Sequence, residues 1–200
     1  MRVRIRLILI VAAAIAGGTL TFLVAKGNGQ KSGRTPTPRE SIQGPQVTIG
    51  DLTYNVTDVR LLRQNRPVDA AYLVNKDPSP KGLYYLGVFI KIYNNNPHKD
   101  QISAPGFLLE PAKAPDLVVM QQASESPYNL DQGAPVPAGG ELPIPGSPSA
   151  GGPIKGGLLL YWITPKMTLK QPFRLVVHTG NQNGFIVLPP VPKLTGTGGH

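Results

Sequence analysis

The stretch that most constrains this chain is GLYYLGVFIKIYNNNPHKD, residues 82–100. Tyr84, Leu86, Val88, Ile90 and Ile92 fall at every second position, and side chains alternate across a pleated strand, so the five share one face. The opposite face carries Leu83, Tyr85, Gly87, Phe89, Lys91 and Tyr93, a mixture suited to a half-exposed or inter-element surface. The β-branched and aromatic content and the period of two exclude a helix. The run then ends at Asn94-Asn95-Asn96-Pro97, because Asn tolerates turn conformations and Pro removes a ladder donor. This is the wall of a core rather than a site.

Shorter strands are predicted around it. Val47 and Ile49 precede a Gly50-Asp51 turn, and Leu52, Tyr54 and Val56 follow at period two. Val59 and Leu61 continue in the opposite phase, which predicts a bulge near Thr57 or Asp58. Two short strands are expected at Phe107–Leu109 and Leu117–Met120, joined by a Pro-bearing turn. In IKGGLLLYWIT, Leu158, Leu160 and Trp162 lie on one side and Leu159, Tyr161 and Ile163 on the other. A strand apolar on both faces is normally central. Phe173, Leu175 and Val177 face one way in FRLVVH, and GNQNG turns into a last strand, FIVL. Seven or more short strands with turn punctuation predict an all-β fold, an antiparallel β-sandwich over residues 46–188, with a loose tail over 189–200.

The order VTIGDLTYNVTDVRLL, GLYYLGVFIKIYNNNP, FLLEP, GGPIKGGLLLYWITP, FRLVVH resembles the secreted Ig-like domains of Gram-positive bacteria related to the actinobacterial immunoprotective extracellular protein. The likeness covers residues 46–178 and consists of hydrophobic patterns, an Asn turn and a late Gly-Gly. It implies an Ig-like sandwich and an exported or lipid-anchored protein, and it supplies no catalytic residues. This chain departs from the pattern in having no lipid-attachment cysteine and in its long Pro/Gly loop.

The N-terminus supplies an address. MRVRIR precedes an uncharged run from Leu7 to Ala25, whose 19 residues would span about 28 Å as a helix, close to the roughly 30 Å hydrocarbon core of a bilayer. With Arg2, Arg4 and Arg6 on the leading flank, residues 1–25 are expected to be a single-span signal-anchor with its start in the cytoplasm. The rival is a signal peptide cleaved near Ala14–Ala16, which would release the protein. Either way the rest lies outside the cytoplasm, with residues 26–45, rich in Gly, Ser, Thr, Pro and Lys, as a flexible linker.

The formal charge of +9 does not indicate nucleic acid. Residues 1–39 hold Arg2, Arg4, Arg6, Lys26, Lys31, Arg34 and Arg39 and no acid, whereas the remaining 13 basic residues face all 11 acids. The folded part is therefore nearly neutral, without a phosphate-binding face. Absence of cysteine removes disulfides and thiolate chemistry.

Catalytic motifs are missing. His98, His178 and His200 are not at metal-ligand spacing. PGSPSAGG around Ser147 is no nucleophile elbow, and GGPIKGG lacks P-loop spacing, its glycines instead permitting a sharp entry into a strand. Asn55-Val56-Thr57 matches a glycosylation acceptor. No catalytic residue, metal ligand or cofactor is expected.

What remains is recognition. Residues 121–153 hold seven prolines and six glycines, an unusually long connection for a compact domain. Within it, Tyr128, Asn129, Leu130 and Asp131 are the candidate partner-binding residues, with Tyr128 and Leu130 able either to anchor a partner or to pin the loop to the body. The expectation is a membrane-anchored extracytoplasmic module binding an envelope polymer or protein. The alternative is an envelope enzyme or metal carrier whose site the sequence does not display.

Overall fold

The computed structural model describes residues 44–194, apart from 115, 116, 118, 120, 123 and 181. The expected anchor at 1–25, the linker up to residue 43 and residues 195–200 lie outside the described residues. Among the described residues, no helix is long and apolar enough to cross a membrane. In chain order the elements are β1 (Gln46–Ile49), β2 (Leu52–Leu62), α1 (Pro67–Ala70), β3 (Tyr84–Asn94), β4 (Gln101–Ile102), β5 (Gly106–Pro111), β6 (Pro135–Val136), β7 (Glu141–Leu142), α2 (Pro148–Gly151), β8 (Gly157–Ile163), α3 (Pro165–Thr168), β9 (Phe173–His178) and β10 (Asn183–Val187).

The period-two run is β3, and the larger sheet is built about it. β2 lies antiparallel on one edge and carries β1 beyond it; β8 and then β7 pair antiparallel along the other. A second antiparallel sheet has the order β10-β9-β5, and β4 pairs with β6. The described residues are thus all-β apart from three single turns of helix.

The expected bulge sits at Thr57, since Val56 pairs with Ile90 and Asp58 with Phe89. One extra residue reverses the alternation, so Tyr54 and Val56 before it and Val59 and Leu61 after it all face the same cluster. The displaced Thr57 hydroxyl donates to the carbonyls of Lys155, at 2.6 Å, and Phe89, at 3.2 Å. It thereby ties the middle of β2 to the approach to β8.

Both sheets feed one hydrophobic cluster. β3 contributes Leu86, Val88, Ile90 and Ile92; β8 contributes Leu159, Tyr161 and Ile163. Across from them stand Phe107 and Leu109 of β5, Phe173, Leu175 and Val177 of β9, and Ile186 of β10. Full burial of such side chains contributes about 1.5–3 kcal/mol each relative to exposure. Polar atoms entering this cluster are satisfied: the Tyr54 hydroxyl accepts the Ala104 N–H at 3.0 Å, and the Tyr161 hydroxyl donates to the Phe107 carbonyl at 3.2 Å.

The opposite face of β3 is covered as well. Tyr85, Phe89, Leu158 and Leu160 join Leu62, Tyr72 and Leu73 in a second buried cluster. Its cover is irregular chain: the β2–β3 connection and parts of the long loop. Tyr72 is wedged between Phe89 and Tyr128, with ring centroids 4.9 and 4.7 Å away. Asp69, fully buried, ion-pairs with Arg60 at 2.9 Å and accepts the Arg63 N–H at 3.1 Å, clamping that connection to β2. The connection reads as polar, yet Tyr72 and Leu73 within it plug the sheet.

Three expectations need revision. Of Leu117–Met120, only Val119 pairs with β5, as an isolated bridge to Leu109, and no strand forms there among the described residues. The tail is not loose over 189–194. Val191 is buried and exchanges hydrogen bonds with the Gln171 side chain at 2.7 and 2.9 Å, and Leu194 donates to Thr168 Oγ1 at 3.2 Å. The glycosylation match at Asn55 is buried within β2, which closes it to modification of the folded chain.

Candidate functional site

The long Pro/Gly connection is built against β8. Gln122 N–H donates to the Leu160 carbonyl at 2.7 Å. Further along, Leu158 N–H donates to Tyr128 C=O at 2.8 Å, and Leu130 N–H returns to Leu158 C=O at 3.0 Å. Residues on either side of 123–127 thus hold the edge of a strand that is buried on both faces. β8 is two-faced because one face meets the shared core and the other meets the second cluster.

Two glycines make this approach possible. Gly156 adopts φ +131°, a region that disfavours other residues, and a Cβ there would come within 2.8 Å of Thr57 Oγ1. A Cβ on Gly157 would lie 2.7–2.8 Å from Leu130. The late Gly-Gly therefore gives β8 its sharp entry, as the sequence suggests, and also admits the loop.

Where the loop meets β8 there is a cleft of about 210 Å³. Its polar wall consists of Gln121, Gln122, Ser124, Asn129 and Gln132; Leu130, Leu158 and Leu160 form the rest. None of these lining side chains is ionisable. The amides of Gln121 and Gln132 make no hydrogen bond to another described residue, whereas that of Asn129 donates to the Ser124 carbonyl.

The four candidate residues separate in the fold. Tyr128 turns away from the cleft, onto Tyr72 and over Gly152, where an added Cβ would come within 2.8 Å of the Tyr128 ring. Leu130 is buried, 6 % exposed, within the shared core. Both pin the loop. Asn129 lines the cleft, Leu130 closes its base, and Asp131 is exposed beside it. Gln121, Gln122 and Gln132 were not singled out by the sequence, because isolated glutamines in a polar connection carry no spacing signal.

The interlock behind the cleft is polar as well as aromatic. Tyr72 Oη accepts the Ile154 N–H at 2.8 Å, Ser149 Oγ donates to the Pro127 carbonyl at 3.2 Å, and Ser126 Oγ to the Ala71 carbonyl at 3.4 Å. Burial holds the Tyr72 phenol above its usual pKa, partly offset by the Ile154 N–H.

Elsewhere, His98 is exposed, its backbone N–H held by Asn96 Oδ1, and His178 Nδ1 lies 2.9 Å from Asn183 Oδ1. Among the described residues, no three His, Cys, Asp or Glu side chains are grouped to hold a metal ion.

No family model matches this chain, and no curated protein matches it. Two Bacillus subtilis structures are similar to it. The putative lipoprotein YcdA aligns with a TM-score of 0.47 and 10% identity over 74% of this chain, which spans 39% of YcdA. The yjhA protein aligns with a TM-score of 0.40 and 13% identity, over 72% of this chain and 96% of that one. Similarity this low carries no argument about activity.

Proposed function

We propose that this chain is a membrane-anchored, extracytoplasmic Ig-like module that holds a cell-envelope polymer in the cleft beside β8. Two antiparallel sheets sharing one core support the Ig-like sandwich, together with the resemblance in strand order. The arginine-led apolar run from Leu7 to Ala25 supports the anchor and the extracytoplasmic address.

The observation that carries the reading is the cleft's size and chemistry. At about 210 Å³ it is smaller than the roughly 300–1,000 Å³ of sites that enclose a whole small molecule. It suits one unit of a longer chain whose remainder runs across the surface. Neutral amide and hydroxyl walls on a doubly buried strand provide directional hydrogen bonding without attracting ions.

The test is co-sedimentation of the full-length protein, in nanodiscs, with insoluble envelope polymer. The Gln121→Ala/Gln132→Ala variant removes two side chains that brace nothing else described. Retention of the parent and loss of the variant is expected. Equal retention of both would put the site elsewhere, and retention of neither would end the polymer reading.

A further inference from the structure

Resting on that reading, we propose that the unit held in the cleft is an N-acetylated sugar of a neutral glycan chain. Charge narrows the choice first. A phosphate- or carboxylate-bearing unit placed here would lose water without gaining a cation, because none lines the cleft. A unit that is uncharged but rich in donors and acceptors fits.

The balance of groups narrows it further. Four of the five polar lining residues are carboxamides: Gln121, Gln122, Asn129 and Gln132. A carboxamide offers donors and an acceptor in one plane, the complement of another amide. An acetamido substituent has one N–H, one C=O and one methyl. The first two match the amide wall, and the methyl matches the leucine surface formed by Leu130, Leu158 and Leu160. A sugar bearing hydroxyls alone would leave that apolar part without a partner. A peptide also carries amides, and the experiment below tests that occupant directly.

Trp162 offers a reporter near the cleft. It follows Leu160 at two residues on the same face of β8, so it stands next along the strand. Its Nε1–H is covered by protein and has no hydrogen-bond partner among the described residues. Because protein covers that nitrogen, no bound unit reaches it, and Trp162 serves as a reporter of the strand beside the cleft rather than as a ligand contact. Trp162 is also the only tryptophan of the chain, so the emission comes from this one position on β8.

The experiment titrates full-length protein in nanodiscs with a β-1,4-linked tetramer of N-acetylglucosamine. The β-1,4-linked glucose tetramer and tetra-alanine serve as comparisons. Trp162 fluorescence and calorimetry are read in parallel. The acetylated tetramer is expected to bind at least ten times more tightly than the glucose tetramer and to change the Trp162 emission. Gln121→Ala/Gln132→Ala is expected to weaken it at least tenfold with an unchanged melting curve. Equal binding of the two sugars, tighter binding of tetra-alanine, or no calorimetric binding of the acetylated tetramer would overturn the assignment. If envelope polymer still co-sediments with the parent and not with the variant, only the acetamido assignment falls. If co-sedimentation fails too, the polymer reading falls with it.

Discussion

The two faces of β3 are both dry, but they are closed by different means. On one face Leu86, Val88, Ile90 and Ile92, all fully buried, meet a second sheet whose own strands alternate in register. On the other, Tyr85 and Phe89 meet turns and loops held by a handful of distant contacts: Asp69 to Arg60, Tyr72 to Ile154, Ser126 to Ala71, Ser149 to Pro127. The first closure is repetitive and cooperative. The second consists of separate fastenings, each of which can be broken singly, and it shapes the side of the molecule where the cleft lies. Local opening is therefore expected to be easier in the outer layer than between the sheets.

The largest effect should come from the shared core. Phe107→Ala removes a ring packed edge-on against Tyr54, with centroids 6.0 Å apart, and should cost about 3–5 kcal/mol. Denaturant unfolding should show one transition at a lower midpoint, with both layers lost together.

Asp69→Ala should act locally instead. Asp69 is fully buried but Arg60 keeps contact with water, so the loss should be about 2 kcal/mol, below the usual range for a fully buried pair. Amide exchange at Tyr72 and Leu73 should accelerate by more than tenfold, while Val88 and Ile90 remain unchanged. Equal acceleration in both places would erase the distinction between the layers.

Alkali tests the two layers at once. Tyr54 and Tyr161 in the shared core and Tyr72 in the outer layer are all held above the ordinary phenol pKa, chiefly by burial. Because the folded values lie above the unfolded value of about 10, their contribution to stability is complete below pH 10 and is lost as pH rises toward the folded values. Phenolate absorbance should show these three tyrosines neutral until the fold opens around them.

The smallest effect is expected at the bulge. Thr57→Val keeps the shape but deletes the hydroxyl bonds to Lys155 and Phe89, at a cost of about 1 kcal/mol by thermal melting.

The sequence makes the first closure legible and hides most of the second. Alternation alone identifies the inward face of β3, and the change of phase between Val56 and Val59 predicts a bulge near Thr57 or Asp58, which the register places at Thr57. These are local signals of period two. Tyr72 and Asp69 carry no such signal, because their roles depend on partners in other elements. Val191 likewise looks like part of a free tail until Gln171 is placed beside it. At the candidate site, Asn129 and Leu130 of the loop singled out from the sequence line the cleft. It cannot separate Tyr128, which faces the outer layer, from its neighbours, nor select three glutamines whose juxtaposition is purely tertiary.

Site and function both require residues 121, 122 and 124–132 to form a built wall on β8 rather than a free loop. Native-state amide exchange measures this directly at Gln122, Leu130 and Leu158, whose N–H groups bond between loop and strand. The account predicts protection of at least a thousandfold at all three, lost together when the outer layer opens. Exchange of Gln122 and Leu130 at the rate of an unstructured peptide, with Val88 and Leu159 still protected, would contradict it.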